Sequence, residues 1–186
     1  MKYLPLLILL FASNLLTGQS KLTPIDKSPM DMAYYPVNYP ILKIQNKITE
    51  PPVVRVIYSR PQKNGRKVMG ELIEPGKVWR LGANEATEIE LYKDAQVGTN
   101  KIKKGRYTLY AIADSTKWSI IFNKDNDTWG AFQYDQKKDL FRYECKMEKS
   151  TEMAEAFTIM WEKGNDGNIN LIMAWDDFKC TVPFKF

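Results

Sequence analysis

From Val53 to the C-terminus, apolar residues recur mostly at period two or in short runs, and turn-forming residues interrupt them at intervals of roughly eight to twelve positions. Successive side chains of a strand point to opposite faces, so this alternation specifies half-buried strands. Nothing in the same region sustains the helical period; residues 150–155 carry the one helical signal, worth a single turn. The chain is thereby held to an all-β fold. Strands are expected over residues 53–59, 78–81, 87–92, 94–97, 106–113, 118–122, 140–147, 156–162, 169–175 and 178–184, with weaker candidates at 67–72 and 129–134. Gly164-Asn-Asp-Gly167-Asn is a hairpin turn of the Asp-Gly kind. About nine to ten short strands without long helices make an antiparallel β-sandwich or a flattened barrel.

The N-terminal third has a different character. Residues 1–20 read as a secretory signal: Met1-Lys2 opens it, an apolar run covers 3–16, and Thr17-Gly18-Gln19-Ser20 supplies small residues for cleavage. The run is shorter than the roughly 20 residues of a membrane span, and the first cysteine is Cys145, so no lipidation site adjoins it. The expectation is an exported protein, periplasmic or secreted, soluble and without stable membrane insertion once the signal is removed. Residues 21–52 are rich in Pro and Tyr and lack periodicity, too aromatic for a free linker. They are expected to form an irregular arm laid against a single domain over 53–186.

Of the 27 Lys and Arg residues Lys2 falls in the signal, leaving 26 against 22 Asp and Glu. So small a surplus, spread along the chain, argues against a nucleic-acid partner.

Histidine is absent. That removes Ser–His and Cys–His nucleophile pairs, the common zinc sites, and imidazole as an acid or base near neutral pH. Gly-rich phosphate loops are missing too, and no cofactor or metal is expected. Residues 123–128 place oxygen ligands at alternate positions, yet Thr128 and Tyr134 stand where a calcium loop needs Gly and Glu, which favours a plain Asx-rich turn. Asp176 and Asp177 face opposite sides of a strand and cannot act as an acid/base pair with each other. Trp118, Trp161 and Trp175 read as core.

The two cysteines both fall on apolar strand faces, Cys145 with Phe141, Tyr143 and Met147, and Cys180 with Phe178, Val182 and Phe184. In an exported chain two cysteines suggest one disulfide, and two separate buried thiols satisfy the same pattern equally well.

The densest chemistry lies in Gly76-Lys-Val-Trp79-Arg80-Leu-Gly82-Ala-Asn84-Glu85-Ala-Thr87. A turn built only for connection needs Gly, Asn or Asp and has no use for Trp, Arg and Glu packed so closely. One reading is a polar knot in which Arg80 pairs with Glu85 across the bend and the Asn84 amide ties down backbone groups. The other is one wall of a site, with Arg80 and Asn84 as donors, Glu85 as acceptor, and Trp79 or Trp129 as a stacking surface. Arg60 and Arg66 either converge with Arg80 on an anion or lie on the surface over apolar neighbours.

Tyr58-Ser-Arg-Pro61, Gly65-Arg66-Lys67, Gly76-Lys-Val-Trp-Arg80, Gly82-Ala-Asn-Glu-Ala-Thr87, Gly105-Arg-Tyr-Thr-Leu109, Trp118-Ser-Ile-Ile-Phe-Asn-Lys124 and Trp129-Gly-Ala131 resemble a bacterial exported family, domain of unknown function 2911. The resemblance covers about residues 53–186. It implies a secreted or periplasmic domain of this length, and it supplies no activity, cofactor or catalytic residue. Lys103-Lys104 depart from the more Gly- or Ala-rich approach to Tyr107 in that family, with no functional consequence.

The expected function is noncatalytic: an exported envelope domain binding a small polar ligand, a glycan or a protein partner through Arg80, Asn84 and Glu85, with Arg60, Arg66 and Trp129 near by. The alternative is a histidine-free hydrolase or lyase, with Glu85 as acid or base and Arg80 as electrostatic stabiliser. A purely structural interaction protein is the third reading.

Overall fold

Alternating burial along the chain produces ten strands. The computed structural model describes residues 22–186, so the signal expected at 1–20 lies outside the described residues. In chain order the strands are β1 (Met30–Tyr35), β2 (Val54–Ser59), β3 (Val78–Trp79), β4 (Thr87–Leu91) and β5 (Ala95–Val97). They continue with β6 (Asn100–Ile102), β7 (Gly105–Ala113), β8 (Lys117–Asn123), β9 (Asp139–Lys163) and β10 (Ile169–Lys185). A short helix, α1 (Tyr39–Ile44), follows β1. All pairings between the strands are antiparallel, in one sheet ordered β1-β2-β4-β7-β8-β9-β10-β5-β6 with β3 set beside β7, and the sheet does not close.

β9 is the hinge of this architecture. Its first part pairs with β8, from Asn123↔Asp139 to Lys117↔Lys146, and its later part pairs with β10, up to Ile169↔Lys163. Being 25 residues long, it carries the sheet from one wall to the other. The two walls meet on a core centred on Trp79, whose ring lies 5.1 Å from Phe157, 5.5 Å from Trp118 and 6.0 Å from Trp175. Trp118, Trp161 and Trp175 are all buried. Where β9 comes back against β1 and β2, side chains take over from the strand ladder. Tyr58 donates its hydroxyl to the Ile159 carbonyl at 3.2 Å, and Arg60 reaches Asp31, Phe157 and Thr158.

Cys145 on β9 and Cys180 on β10 form a disulfide, with their Cα atoms 6.0 Å apart. Of the two readings of the cysteines, the bonded one is the one in the structure.

Local propensity is overridden in several places. Residues 150–155, read as a helical turn, belong to β9. Their Glu, Met and Ala are good helix formers, but over one turn that preference is small, and pairing Ala154↔Asp176 and Lys149↔Phe178 outweighs it. The expected strands at 140–147 and 156–162 are therefore one strand, and those at 169–175 and 178–184 fuse into β10. Its register shifts around Asp176, which takes a positive φ of 55°. Residues 67–72 form a kinked turn, and of 129–134 only Trp129 bridges, to Glu85. The N-terminal arm is more ordered than its composition suggests. Ala33 and Tyr35 pack on the core, and six residue pairs join β1 to β2.

Candidate functional site

The bend after β3 is built from the inside. Trp79 is buried, and its indole N–H donates to the Gly82 carbonyl at 3.0 Å. Thr87, also buried, donates its hydroxyl to the Leu81 carbonyl at 2.6 Å and its backbone N–H to the Arg80 carbonyl at 3.1 Å. Leu81 and Asn84 both adopt positive φ, 54° and 56°; for Leu81 this is an unusual conformation that the surrounding bonds hold in place. A neighbouring loop secures the far side, with Gly130 N–H on Asn84 O at 2.9 Å and Ala86 N–H on Thr128 O at 3.0 Å. The knot is thus made by Trp79, Gly82, Thr87 and backbone. The side chains of Arg80, Asn84 and Glu85 take no part in it.

Arg80 is left with nothing to bind. Its Nε is buried without a hydrogen-bond partner, and among the described residues it forms no ion pair. Partial burial pushes its pKa below the usual arginine value, as expected of a half-buried cation without a counter-charge. It lines a cavity of about 270 Å³ floored by Trp79 and Trp175. Two more cations, Arg66 and Lys27, share this cavity with the neutral polar Ser28, Gln62, Asn64 and Asn84, and no carboxylate lines it. Arg66 is held at the rim by donating Nε to Lys63 O and Nη2 to Gln62 O, both at 2.9 Å. The nearby acid Asp176 is occupied by Lys63. On its other side Arg80 lines a second depression, of about 230 Å³, with Lys77, Glu74 and Phe132.

Of the residues singled out by sequence, Arg80, Asn84 and Arg66 come together here. The others lie elsewhere. Arg60 is a stitch between β1 and β9: Nη1 binds Asp31 at 3.0 Å, Nη2 donates to Thr158 Oγ1 at 2.9 Å and Nε to Phe157 O at 3.3 Å. Glu85 is exposed and lines a separate groove of about 300 Å³ with Glu88, Arg106 and Asp127. In that groove Arg106 already pairs with both Glu88 and Asp127. Trp129 is 61% exposed and touches the bend only through its backbone bridge to Glu85. The Asx-rich segment is a turn in which Asn123 Oδ1 accepts the Asp125 N–H at 2.9 Å, and Asp125 pairs with Lys138.

Sequence reasoning missed Lys27, Ser28, Gln62 and Asn64. Gln62 and Asn64 stand in a polar loop whose only visible feature is turn chemistry, and nothing around Lys27-Ser28 signals that the arm reaches this wall. A larger cavity, about 660 Å³, runs along the seam between β1 and β9. Its lining is apolar, with Met30, Met32, Ile41 and Met160, and its one acid, Asp31, is already paired with Arg60. It offers little polar chemistry. The Arg80 cavity offers a half-buried guanidinium without a protein partner, flanking cations and neutral hydrogen-bonding groups, and no carboxylate lines it to move a proton.

No curated protein matches the chain, and no solved structure does. A family model described as protein of unknown function (DUF2911) matches residues 40–184, most of the chain, and the chain belongs to that family.

Proposed function

We propose that this chain is a noncatalytic exported envelope domain that binds a small polar anion in the cavity of Arg80, Arg66 and Asn84. The observation that carries the reading is that Arg80 has no protein partner and lines a cavity that holds three cations and no carboxylate. Desolvating a guanidinium with nothing to offset it is unfavourable. A planar oxyanion accepting from the two terminal nitrogens, the part of the guanidinium that is not enclosed, supplies the missing partner through two parallel, charge-assisted hydrogen bonds. Export rests on residues 1–20 alone. A cavity of this size suits a small ligand better than a protein surface. The hydrolase or lyase alternative requires Glu85 to work beside Arg80, and the two line different cavities.

The test is a thermal-shift and calorimetric comparison of wild type with Arg80→Gln against a panel of carboxylates, inorganic phosphate and sulfate. Saturable stabilisation of wild type that Arg80→Gln abolishes is the expected result. If no anion stabilises wild type more than the folded variant, the reading falls.

A further inference from the structure

Resting on the anion-site reading, we infer that the ligand is an acidic sugar: a single hexose-sized ring whose carboxylate or phosphate sits on Arg80 and whose hydroxyls are read by the neutral side chains around it. An inorganic anion needs only the cations. Here four uncharged groups, the Ser28 hydroxyl and the Gln62, Asn64 and Asn84 amides, share the wall with them. Each such group both donates and accepts, which is what an array of hydroxyls requires. Among the described residues these four side chains make no hydrogen bond of their own: Ser28, Gln62 and Asn64 bond through backbone N–H or C=O, and Asn84 through its carbonyl. They are therefore free for a ligand.

The floor fits the same chemistry. Trp79 and Trp175, buried and stacked on each other with rings 6.0 Å apart, close the cavity with apolar surface, and Leu72 and Pro61 line it beside them. The volume, about 270 Å³, lies just under the roughly 300 Å³ at which drug-sized pockets begin, so one ring fits better than a chain. Carboxylates are missing from the wall. They would accept from a neutral sugar's hydroxyls but would repel an anion, so their absence favours a charged sugar over a neutral one.

The experiment is calorimetry on the full chain with glucuronate, galacturonate and glucose 1-phosphate, against glucose, acetate and inorganic phosphate. Three variants accompany wild type: Arg80→Gln, Gln62→Ala and Asn84→Gly, the last because glycine keeps the positive φ of that position. At least one acidic sugar is expected to bind at least tenfold more tightly than acetate or phosphate, with glucose weaker still. Gln62→Ala should weaken the sugar several-fold and leave the simple anions unchanged, Asn84→Gly should weaken both, and Arg80→Gln removes all binding. Uronate and sugar phosphate carry the same chemistry, and their relative affinity says which anion the site prefers. If acetate or phosphate binds as tightly as every acidic sugar, the inference is overturned while the anion site stands; if glucose does, the charge adds nothing and both readings fall. If no anion binds wild type, the anion site itself is wrong and this inference goes with it.

Discussion

Arg80 and Glu85 flank the same bend, five residues apart in sequence, yet they line different cavities and do not pair. The reason lies between them. Leu81 and Asn84 both turn through positive φ, and the bend is closed by Trp79 on Gly82 and by Thr87 on Leu81. Two roles are therefore interleaved in one segment: Trp79, Gly82 and Thr87 hold the backbone, and Arg80 and Asn84 are released into the cavity.

The structural half of that division is sensitive at Gly82. A Cβ there would stand 3.0 Å from the Ser59 carbonyl oxygen and 3.4 Å from Thr87 Oγ1. The first neighbour is backbone of β2 and cannot swing away. Gly82→Ala should cost roughly 1–3 kcal/mol, the usual range for overpacking. Urea denaturation checks it: the midpoint falls with the slope unchanged.

Thr87→Val probes the same knot from the other side. The shapes are similar, but the Leu81 carbonyl loses its 2.6 Å donor in a fully buried setting. An acceptor left unsatisfied costs about 1–3 kcal/mol, so the variant should melt lower than wild type. It should also weaken anion binding, because the backbone that aims Arg80 loosens. A Thr87→Val variant equal to wild type in both measurements would count against the knot.

Reduction of Cys145–Cys180 should destabilise the domain by roughly 2–4 kcal/mol, the typical contribution of a disulfide. The bond spans 35 residues of sequence and joins β9 to β10. Chemical denaturation with and without reductant reads the difference directly, and Cys145→Ala/Cys180→Ala should match the reduced protein.

Strands alternating over one buried face were legible from residues alone. In Thr87–Leu91 every second residue is buried, and β7 and β8 fall within one or two residues of the positions the alternation marks. Strands whose formation depends on a distant partner were not legible. Residues 150–155 have helical propensity and are extended only because β10 lies beside them. The 100–102 strand exists because Lys101 pairs with Gln96 across a two-residue turn. The site follows the same rule. Arg80, Asn84 and Arg66 stood out by chemistry, but no periodicity predicts that positive φ at Leu81 and Asn84 would send Glu85 to another groove. Nor does sequence place Lys27 on the same cavity wall as Arg80, an arrangement set by the chain's long-range path.

Alkaline stability should carry the mark of two tyrosines. Burial, reinforced by a 2.8 Å hydrogen bond to Glu90, pushes Tyr92 up to about 12, and burial with a 2.7 Å bond to Asp139 does the same for Tyr134. An unfolded tyrosine ionises near 10. Between those values the unfolded chain releases phenolic protons that the folded chain keeps, so stability falls as pH rises from about 10 to about 12. Below pH 10 the contribution is fully present. Burial also raises Tyr58, Tyr107 and Tyr110, so phenolate absorbance should show several late-titrating groups, and Tyr92→Phe with Tyr134→Phe should remove the two near 12 and lessen the stability loss in that window.

The last prediction separates a binding arginine from a structural one. An arginine that holds a fold together loses stability when removed, because its partners are left unpaired. Arg80 has no partner to abandon. Arg80→Met keeps much of the apolar stem and removes a half-buried cation that has no protein partner. Stability should therefore rise, by about 0.5–1 kcal/mol, while anion binding disappears, the exchange of stability for function seen where a site is kept unsatisfied until its ligand arrives. Arg60→Met supplies the contrast. Its guanidinium holds Asp31, Thr158 and the Phe157 carbonyl, so that variant should lose stability and retain binding. Paired urea melts and anion titrations of the two variants decide the matter. A destabilised Arg80→Met protein would mean that the guanidinium supports the fold after all, and the cavity would lose its main claim to be a site.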